Sequence, residues 1–204
     1  MQTVTYLVKN AVYVNLTNRC PCACTFCLRQ NGRSVYGAPD LWLEREPDLD
    51  EVVASLETWD WSRFTECVFC GYGEPTERLD VLLAAAEHMK REHPGVRIRV
   101  NTNGLSDLIA GAPTAARFAG RVDCLSISLN TDDAAEYLAV CRPKFGEAAW
   151  PAMLKFAEEA VRAVPEVVMT VVGEPVTSPE KQARCRAICE RIGARLRVRP
   201  FEKS

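Results

Sequence analysis

Long apolar runs, net charge and histidine are all scarce in this chain of 204 residues. No stretch approaches the roughly 18 apolar residues that a membrane-spanning helix needs, so we expect no membrane association. The first residues lack the basic segment, apolar segment and cleavage site of a secretory signal. A formal net charge of −2 argues against a polyanion such as nucleic acid as the partner. No low-complexity linker divides the chain, and we therefore predict one domain over residues 1–204.

Cysteine, in contrast, is abundant, with ten residues. In a chain without a secretory signal we expect a cytoplasmic location, where thiols stay reduced. A dense cysteine cluster in that compartment favours metal binding or catalysis over a disulfide framework. Four cysteines fall within NRCPCACTFCLR (18–29), at Cys20, Cys22, Cys24 and Cys27. The two histidines belong to no metal-binding pattern.

Segments with strand-like and helix-like periodicity alternate along the chain. Strands are predicted at 11–18, 96–105, 121–131, 166–175 and 194–201, and a sixth in the short apolar run at 66–76, which ends in a glycine-rich turn. Helices are predicted at 49–60, 79–93, 150–164 and 178–193, with a helical or irregular piece at 106–119. This α/β alternation predicts a parallel sheet with right-handed crossovers. A closed eight-unit barrel usually needs about 250 residues, so six units predict an open, partial (β/α)6 TIM-like barrel. Functional groups in such folds collect at the carboxyl ends of the strands.

The spacing of the four clustered cysteines allows more than one set of metal ligands. Cys20, Cys24 and Cys27 follow C-x3-C-x2-C, with the aromatic Phe26 before the last cysteine. Using Cys22 in place of Cys20 gives C-x-C-x2-C. Three thiolates on one tight loop fit a [4Fe–4S] cluster in which one iron lacks a protein ligand, since soft thiolates favour iron–sulfur clusters or zinc.

A second CxxC, formed by Cys67 and Cys70, keeps zinc under consideration, because structural zinc sites normally have four protein ligands. However, residues three apart on a strand point to opposite faces of the sheet. This favours Cys67 and Cys70 as small core residues rather than ligands of one metal ion.

The cysteine loop and three later motifs together resemble the radical S-adenosylmethionine (SAM) superfamily. Cys20–Cys27 is similar to its signature C-x3-C-x-aromatic-C, after the first predicted strand. The later segments Gly71–Pro75 (GYGEP), Val100–Gly104 (VNTNG) and Ser126–Asn130 (SISLN) resemble its "GGE", "TNG" and serine/asparagine motifs, in that order. The short length and the form TNRCPCACTFCLR resemble the TatD-associated radical SAM proteins.

The resemblance implies the radical SAM core fold, with a [4Fe–4S] cluster and SAM as cofactors. It implies that Cys20, Cys24 and Cys27 hold three irons, leaving the fourth for the amino and carboxylate groups of SAM. Reductive cleavage of SAM would give a 5′-deoxyadenosyl radical that abstracts hydrogen from an unidentified small-molecule or protein substrate. A reductant such as flavodoxin or ferredoxin is also implied. Cys22 is interpreted as a small loop residue, and a role as alternative ligand or redox-sensitive thiol stays open.

The same resemblance implies a set of SAM contacts and no catalytic side chain. The set is Gly71, Tyr72, Gly73, Glu74, Asn101, Asn103, Ser128, Asn130 and Met169. Glu74 would bind the SAM ammonium, and Tyr72 departs from the family pattern by replacing its middle glycine. Each position also has a structural interpretation: a strand-to-helix turn at Glu74, an Asn-Gly turn at Asn103, and ordinary core at Met169.

Two classes of function remain open at this point. One is a radical SAM enzyme, and the other is a non-enzymatic iron–sulfur or zinc-binding protein for electron transfer or interaction. The later motifs favour the enzyme, because a simple carrier needs no SAM site. Within that class, the substrate could resemble that of glycyl-radical activases or that of 7-carboxy-7-deazaguanine synthases. Arg29 and Arg199 are candidates for binding an anionic substrate, and Tyr36 and Trp42 of the loop 30–48 are candidates for lining a pocket.

Overall fold

A seven-stranded sheet forms the centre of the fold in a computed structural model that describes residues 2–31 and 40–200. Its strands lie in chain order: β1 Thr5–Val8, β2 Ala11–Val14, β3 Glu66–Phe69, β4 Arg97–Thr102, β5 Cys124–Ser128, β6 Glu166–Val172 and β7 Arg195–Arg199. β1 and β2 form an antiparallel hairpin, and β2 to β7 are all parallel. Within the described ranges β1 and β7 do not pair, so the sheet is open. The predicted open sheet of six parallel strands is confirmed.

In the described part of the chain, six α-helices connect the parallel strands: α1 Leu49–Leu56, α2 Leu79–Glu92, α3 Ser106–Ala110, α4 Ala134–Cys141, α5 Ala149–Ala163 and α6 Pro179–Ile192. Local sequence explains several of their ends. Asp48 caps α1 in a capping box with Glu51, which satisfies two backbone donors. Ser178 caps the start of α6, and Gly193 ends it in the left-handed conformation at φ 86°. None of the helices in the described residues is both long and apolar enough to cross a bilayer.

Two elements, β1 and α4, were not predicted from the sequence. β1 is only four residues long, and it depends on pairing with β2 across a turn in which Lys9 adopts φ 55°. α4 has eight residues and is capped by Asp133, whose carboxylate accepts a hydrogen bond from Glu136 N at 2.8 Å. Such short elements are stabilised mainly by tertiary packing, so they leave weak periodic signals in the sequence.

The two faces of the parallel sheet differ in chemistry, because successive side chains of a strand point to opposite sides. One face packs against the helices in the main core, and its members include the fully buried Val14, Phe69, Val100, Ile127 and Met169. The opposite face, here called the polar face, borders a cavity of about 160 Å³ between β3 and β7. The polar side chains of this face are Tyr13, Glu66, Arg97, Arg99, Asn101, Ser126, Ser128, Glu166, Thr170, Arg195, Arg197 and Arg199. Val68, Cys124, Val168 and Val172 lie on the same face.

Candidate functional site

The cysteine loop follows β2 and lies along the C-terminal end of α4. Ala23 N donates to Cys141 O at 3.1 Å, and Thr25 N donates to Val140 O at 2.9 Å. These bonds give the loop partners for its backbone groups and use carbonyls that the end of a helix leaves unpaired. The segment 140–144, which sequence motifs did not single out, therefore positions the cysteine loop.

The four thiols of the loop are free and partly exposed, and three of them interact with one another. Hydrogen bonds with Cys141 and Cys22 lower the pKa of Cys24 to about 4. A hydrogen bond with Cys22 also lowers the pKa of Cys20, whereas the same bonds raise the pKa of Cys22 itself. Burial raises the pKa of Cys27. Cys22 thus lies between Cys20 and Cys24, and its contacts lower the pKa of both neighbours.

The donor set on this loop fits a [4Fe–4S] cluster better than a single metal ion. Among residues 2–31 and 40–200, no three Cys, His, Asp or Glu side chains are placed to hold one metal ion. A zinc site requires such convergence, whereas each thiolate of a cubane binds a different iron. Cys67 is fully buried in the main core, so the second CxxC supplies no pair of exposed ligands. Cys20, Cys24 and Cys27 stay the predicted cluster ligands.

The glycines after β3 are required by close packing within the protein. A Cβ atom on Gly71 would lie 2.0 Å from Asn15 Oδ1, and one on Gly73 would lie 2.3 Å from Thr17 O. Gly73 therefore lets the turn contact the backbone that leads into the cysteine loop. The predicted SAM contacts at Gly71 and Gly73 would have to use backbone atoms at this junction.

The ring of Tyr72 lies in a small separate core and is buried. It packs edge-on against Trp42, with 5.2 Å between ring centroids, and the guanidinium of Arg29 lies 4.7 Å from the Trp42 ring centroid. These contacts hold the segment after the cysteine loop against the sheet, and they give Trp42 and Arg29 a structural role. Tyr36 lies outside the described residues.

The carboxylate of Glu74 fastens the turn after β3 to the end of β4. It accepts hydrogen bonds from Thr76 N at 3.1 Å, Thr102 Oγ1 at 2.7 Å and Asn103 N at 2.7 Å. The residue is only 4% exposed, and burial raises the pKa of its carboxyl group. Most lone pairs of the Glu74 carboxylate are therefore used within the protein, and a contact with the SAM ammonium would have to share them.

The two asparagines of the third motif face different surroundings. Asn103 Nδ2 donates to Cys22 Sγ at 3.8 Å, and Asn103 Oδ1 accepts from Leu105 N at 2.9 Å. Asn101 lies on the polar face, where its Oδ1 accepts from Arg99 Nη1 at 3.0 Å. Asn103 thus connects the end of β4 to the cysteine loop, whereas Asn101 lies on the polar face.

Asn130 offers an acceptor where the resemblance implies a SAM contact. Its backbone is left-handed at φ 66°, and its Nδ2 donates to Cys141 Sγ at 3.2 Å. Asn130 Oδ1 is buried and has no hydrogen-bond partner in the described structure. Buried polar atoms are rarely left unpaired, so this oxygen fits a ligand that donates a hydrogen bond, such as a ribose hydroxyl. Ser128, two residues earlier, is partly exposed on the polar face.

Met169, another predicted SAM contact, lies on the face of the sheet opposite Ser128. Its side chain is fully buried among the helices. Its neighbour Val168 borders the cavity instead. Strand alternation accounts for this placement, and it favours the core interpretation of Met169.

Comparisons with known proteins point to one family. The model described as "Radical SAM superfamily" matches residues 14–181. GTP 3′,8-cyclase of Streptomyces coelicolor is 30% identical over 118 residues, which make up 58% of this chain and 32% of that protein. The chain therefore spans about a third of the length of this curated relative.

Similar solved structures share the fold at low sequence identity. A radical SAM methyltransferase from Sphaerobacter thermophilus has a TM-score of 0.63 at 17% identity, over 98% of this chain and 69% of the other. Methylornithine synthase (PylB) has a TM-score of 0.60 at 15% identity, over 94% of this chain and 53% of the other. HydG, an FeFe-hydrogenase maturase from Carboxydothermus hydrogenoformans, has a TM-score of 0.61 at 14% identity, over 95% of this chain and 44% of the other. These structures confirm the predicted partial TIM-like barrel.

Members of the matching family are enzymes that use a [4Fe–4S] cluster and SAM, and the cysteine-rich loop is consistent with both cofactors. The family match covers most of the sheet, the cysteine loop and all three later motifs. The chain therefore belongs to the radical SAM superfamily.

Proposed function

We propose that this chain holds a [4Fe–4S] cluster through Cys20, Cys24 and Cys27 and binds SAM at the carboxyl ends of β3 to β5. A cluster bound there would supply the electron for reductive cleavage of SAM, the chemistry by which hydrogen would be abstracted from the substrate. The contact of Asn103 with Cys22 carries the proposal, because it joins the third motif to the cysteine loop.

The residues of the chain have the tasks of holding and orienting the cofactors. The low pKa of Cys24 keeps that thiol ionised and ready to bind iron. The unpaired Asn130 Oδ1 accepts a hydrogen bond from SAM, and Ser128 supplies a further polar group on the same side. Glu74 acts as a positioning residue by joining β3 to β4.

The substrate is proposed only as a small molecule or a protein. The names of the similar proteins give different activities: cyclase, methyltransferase and maturase. They therefore do not favour one substrate for this chain. Both activase-like and deazaguanine-synthase-like substrates stay open, as does membership of the TatD-associated group. A flavodoxin or ferredoxin is the proposed electron donor, since the loop thiols are partly exposed.

Anaerobic reconstitution with iron and sulfide, followed by SAM and dithionite, tests the proposal. We expect 5′-deoxyadenosine to form in the wild-type protein and not in Cys24→Ser. A fully loaded cluster that gives no 5′-deoxyadenosine would instead support the non-enzymatic iron–sulfur alternative.

A further inference from the structure

The polar face concentrates positive charge, although the whole chain has a formal net charge of −2. Parallel strands β4 and β7 carry all the basic residues of this face, and β3 and β6 carry its acidic ones. The charged members are the five arginines Arg97, Arg99, Arg195, Arg197 and Arg199, and the two glutamates Glu66 and Glu166.

The two glutamates are already paired with three of the arginines. Arg99 Nη2 lies 2.9 Å from Glu66 Oε2, and Arg99 Nε donates to Glu66 Oε1 at 3.0 Å. Glu166 forms ion pairs with Arg97 on one side and Arg195 on the other. No carboxylate of the polar face is left for the remaining two arginines.

Arg197 and Arg199 have no ion pair within the described residues. Arg197 Nη2 donates to Ser126 Oγ at 3.1 Å, and Arg199 Nε is buried without a hydrogen-bond partner. Arg197 is exposed, and partial desolvation together with the nearby charges of Arg99 and Arg199 lowers its pKa. A buried guanidinium N–H without an acceptor is costly, and two neighbouring cations repel each other, so an anion between them would relieve both penalties.

The sheet register places this pair beside the predicted SAM contacts. Ser128 lies opposite Thr170, and Thr170 lies opposite Arg197, so the three residues form one row across β5, β6 and β7. Arg199, at the carboxyl end of β7, lies on the same face and nearer the edge that carries the cysteine loop. An anion held by Arg197 and Arg199 would therefore border the cofactor site.

We propose that Arg197 and Arg199 bind a carboxylate or phosphate group of the substrate. This inference rests on the proposed function and narrows its substrate to an anionic molecule or segment. A guanidinium can donate two parallel hydrogen bonds to either oxyanion, which gives orientation as well as affinity. Arg199 has an unpaired buried Nε, so it supplies the more directional of the two contacts.

Isothermal titration calorimetry with two probe anions, inorganic phosphate and malonate, tests the proposal. The anions are titrated into reconstituted protein with saturating SAM, at an ionic strength fixed with NaCl. We expect the wild-type protein to bind at least one probe, and the double variant Arg197→Gln/Arg199→Gln to bind it about tenfold more weakly or not at all. The control Arg186→Gln removes one positive charge from the exposed surface of α6 and is expected to bind the probe as the wild type does.

The affinity of the double variant for SAM shows whether the arginines bind an anionic group of the substrate or the carboxylate of SAM. If the double variant keeps its SAM affinity, the arginines serve the substrate, as proposed. If it loses SAM affinity and the probe competes with SAM, they bind the SAM carboxylate and the proposal is overturned, as it also is if the wild type binds neither probe. The single variant Arg197→Gln replaces the double variant if circular dichroism shows the latter to be unfolded. The titration can be repeated on the cluster-free protein, so a failure to cleave SAM does not decide its result.

Discussion

Thr102 Oγ1 donates a 2.7 Å hydrogen bond to Glu74 Oε1, although 28 residues separate the two in sequence. With Asn103 N on the other carboxylate oxygen, this bond makes one rigid unit of the second and third family motifs. The arrangement gives Glu74 a structural task that can be measured without any cofactor.

We expect Glu74→Ala to lower the free energy of unfolding of the cluster-free protein by about 1–3 kcal/mol, because it leaves buried donors unpaired. Urea denaturation followed by circular dichroism measures this loss. Glu158→Ala, at an exposed position of α5, serves as the control and should have little effect. If Glu74→Ala unfolds at the wild-type urea concentration, Glu74 has no such structural task.

Gly73→Ala is expected to destabilise the protein by about 1–3 kcal/mol, since the added Cβ would lie 2.3 Å from Thr17 O and 2.6 Å from Arg19 O. Gly95→Ala is the matched control, because a Cβ there meets no atom within 4 Å. Thermal unfolding of both variants measures the difference. Equal melting temperatures would contradict the close packing of the turn against the cysteine loop.

Replacement of the loop cysteines one at a time should show that three of them are needed to load the cluster and that the fourth is not. Cys20→Ser, Cys24→Ser and Cys27→Ser are expected to lose the cluster, whereas Cys22→Ser should load it, since a serine keeps a hydrogen-bond donor at that position. Iron and sulfide content after anaerobic reconstitution gives the readout. Full loading of Cys20→Ser together with failure of Cys22→Ser would exchange the roles of these two residues.

Ser128→Ala is expected to weaken SAM binding about threefold to tenfold, the effect of one lost hydrogen bond. Met169→Leu keeps the volume of a residue packed against the helices, so it should leave SAM affinity unchanged. Equilibrium binding of SAM to the reconstituted variants measures both effects. A larger loss of SAM affinity in Met169→Leu than in Ser128→Ala would instead indicate that Met169 contacts SAM.

The sequence predicted most of the sheet because each parallel strand is a short apolar run bounded by polar turns. The caps of α1 and α6 are local features of the sequence, since Asp48 and Ser178 act through hydrogen bonds to residues of the first helical turn. The sequence did not predict which face of the sheet Met169 occupies. The run VVMTVV in β6 is almost entirely apolar, as in most buried parallel strands, so it shows no clear alternation of polar and apolar residues.

The surroundings of the cysteine loop could not be predicted in the same way. Cys141 contacts Cys24 and Asn130, yet it follows them by 117 and 11 residues and belongs to no motif. Its position depends on α4, a helix too short to give a strong periodic signal. The pairing of Glu66 and Glu166 with arginines likewise depends on the register of four strands, which only tertiary structure defines.

The division of the sheet into an apolar and a polar face has a consequence for engineering. Folding relies mainly on the side packed against the helices, while the proposed contacts with cofactor and substrate at Ser128, Arg197 and Arg199 lie on the polar face. We therefore expect substitutions at Arg197, Arg199 or Ser128 to leave the core packing largely unchanged. Under the proposed function, engineering of specificity would begin on this face and leave the scaffold unchanged.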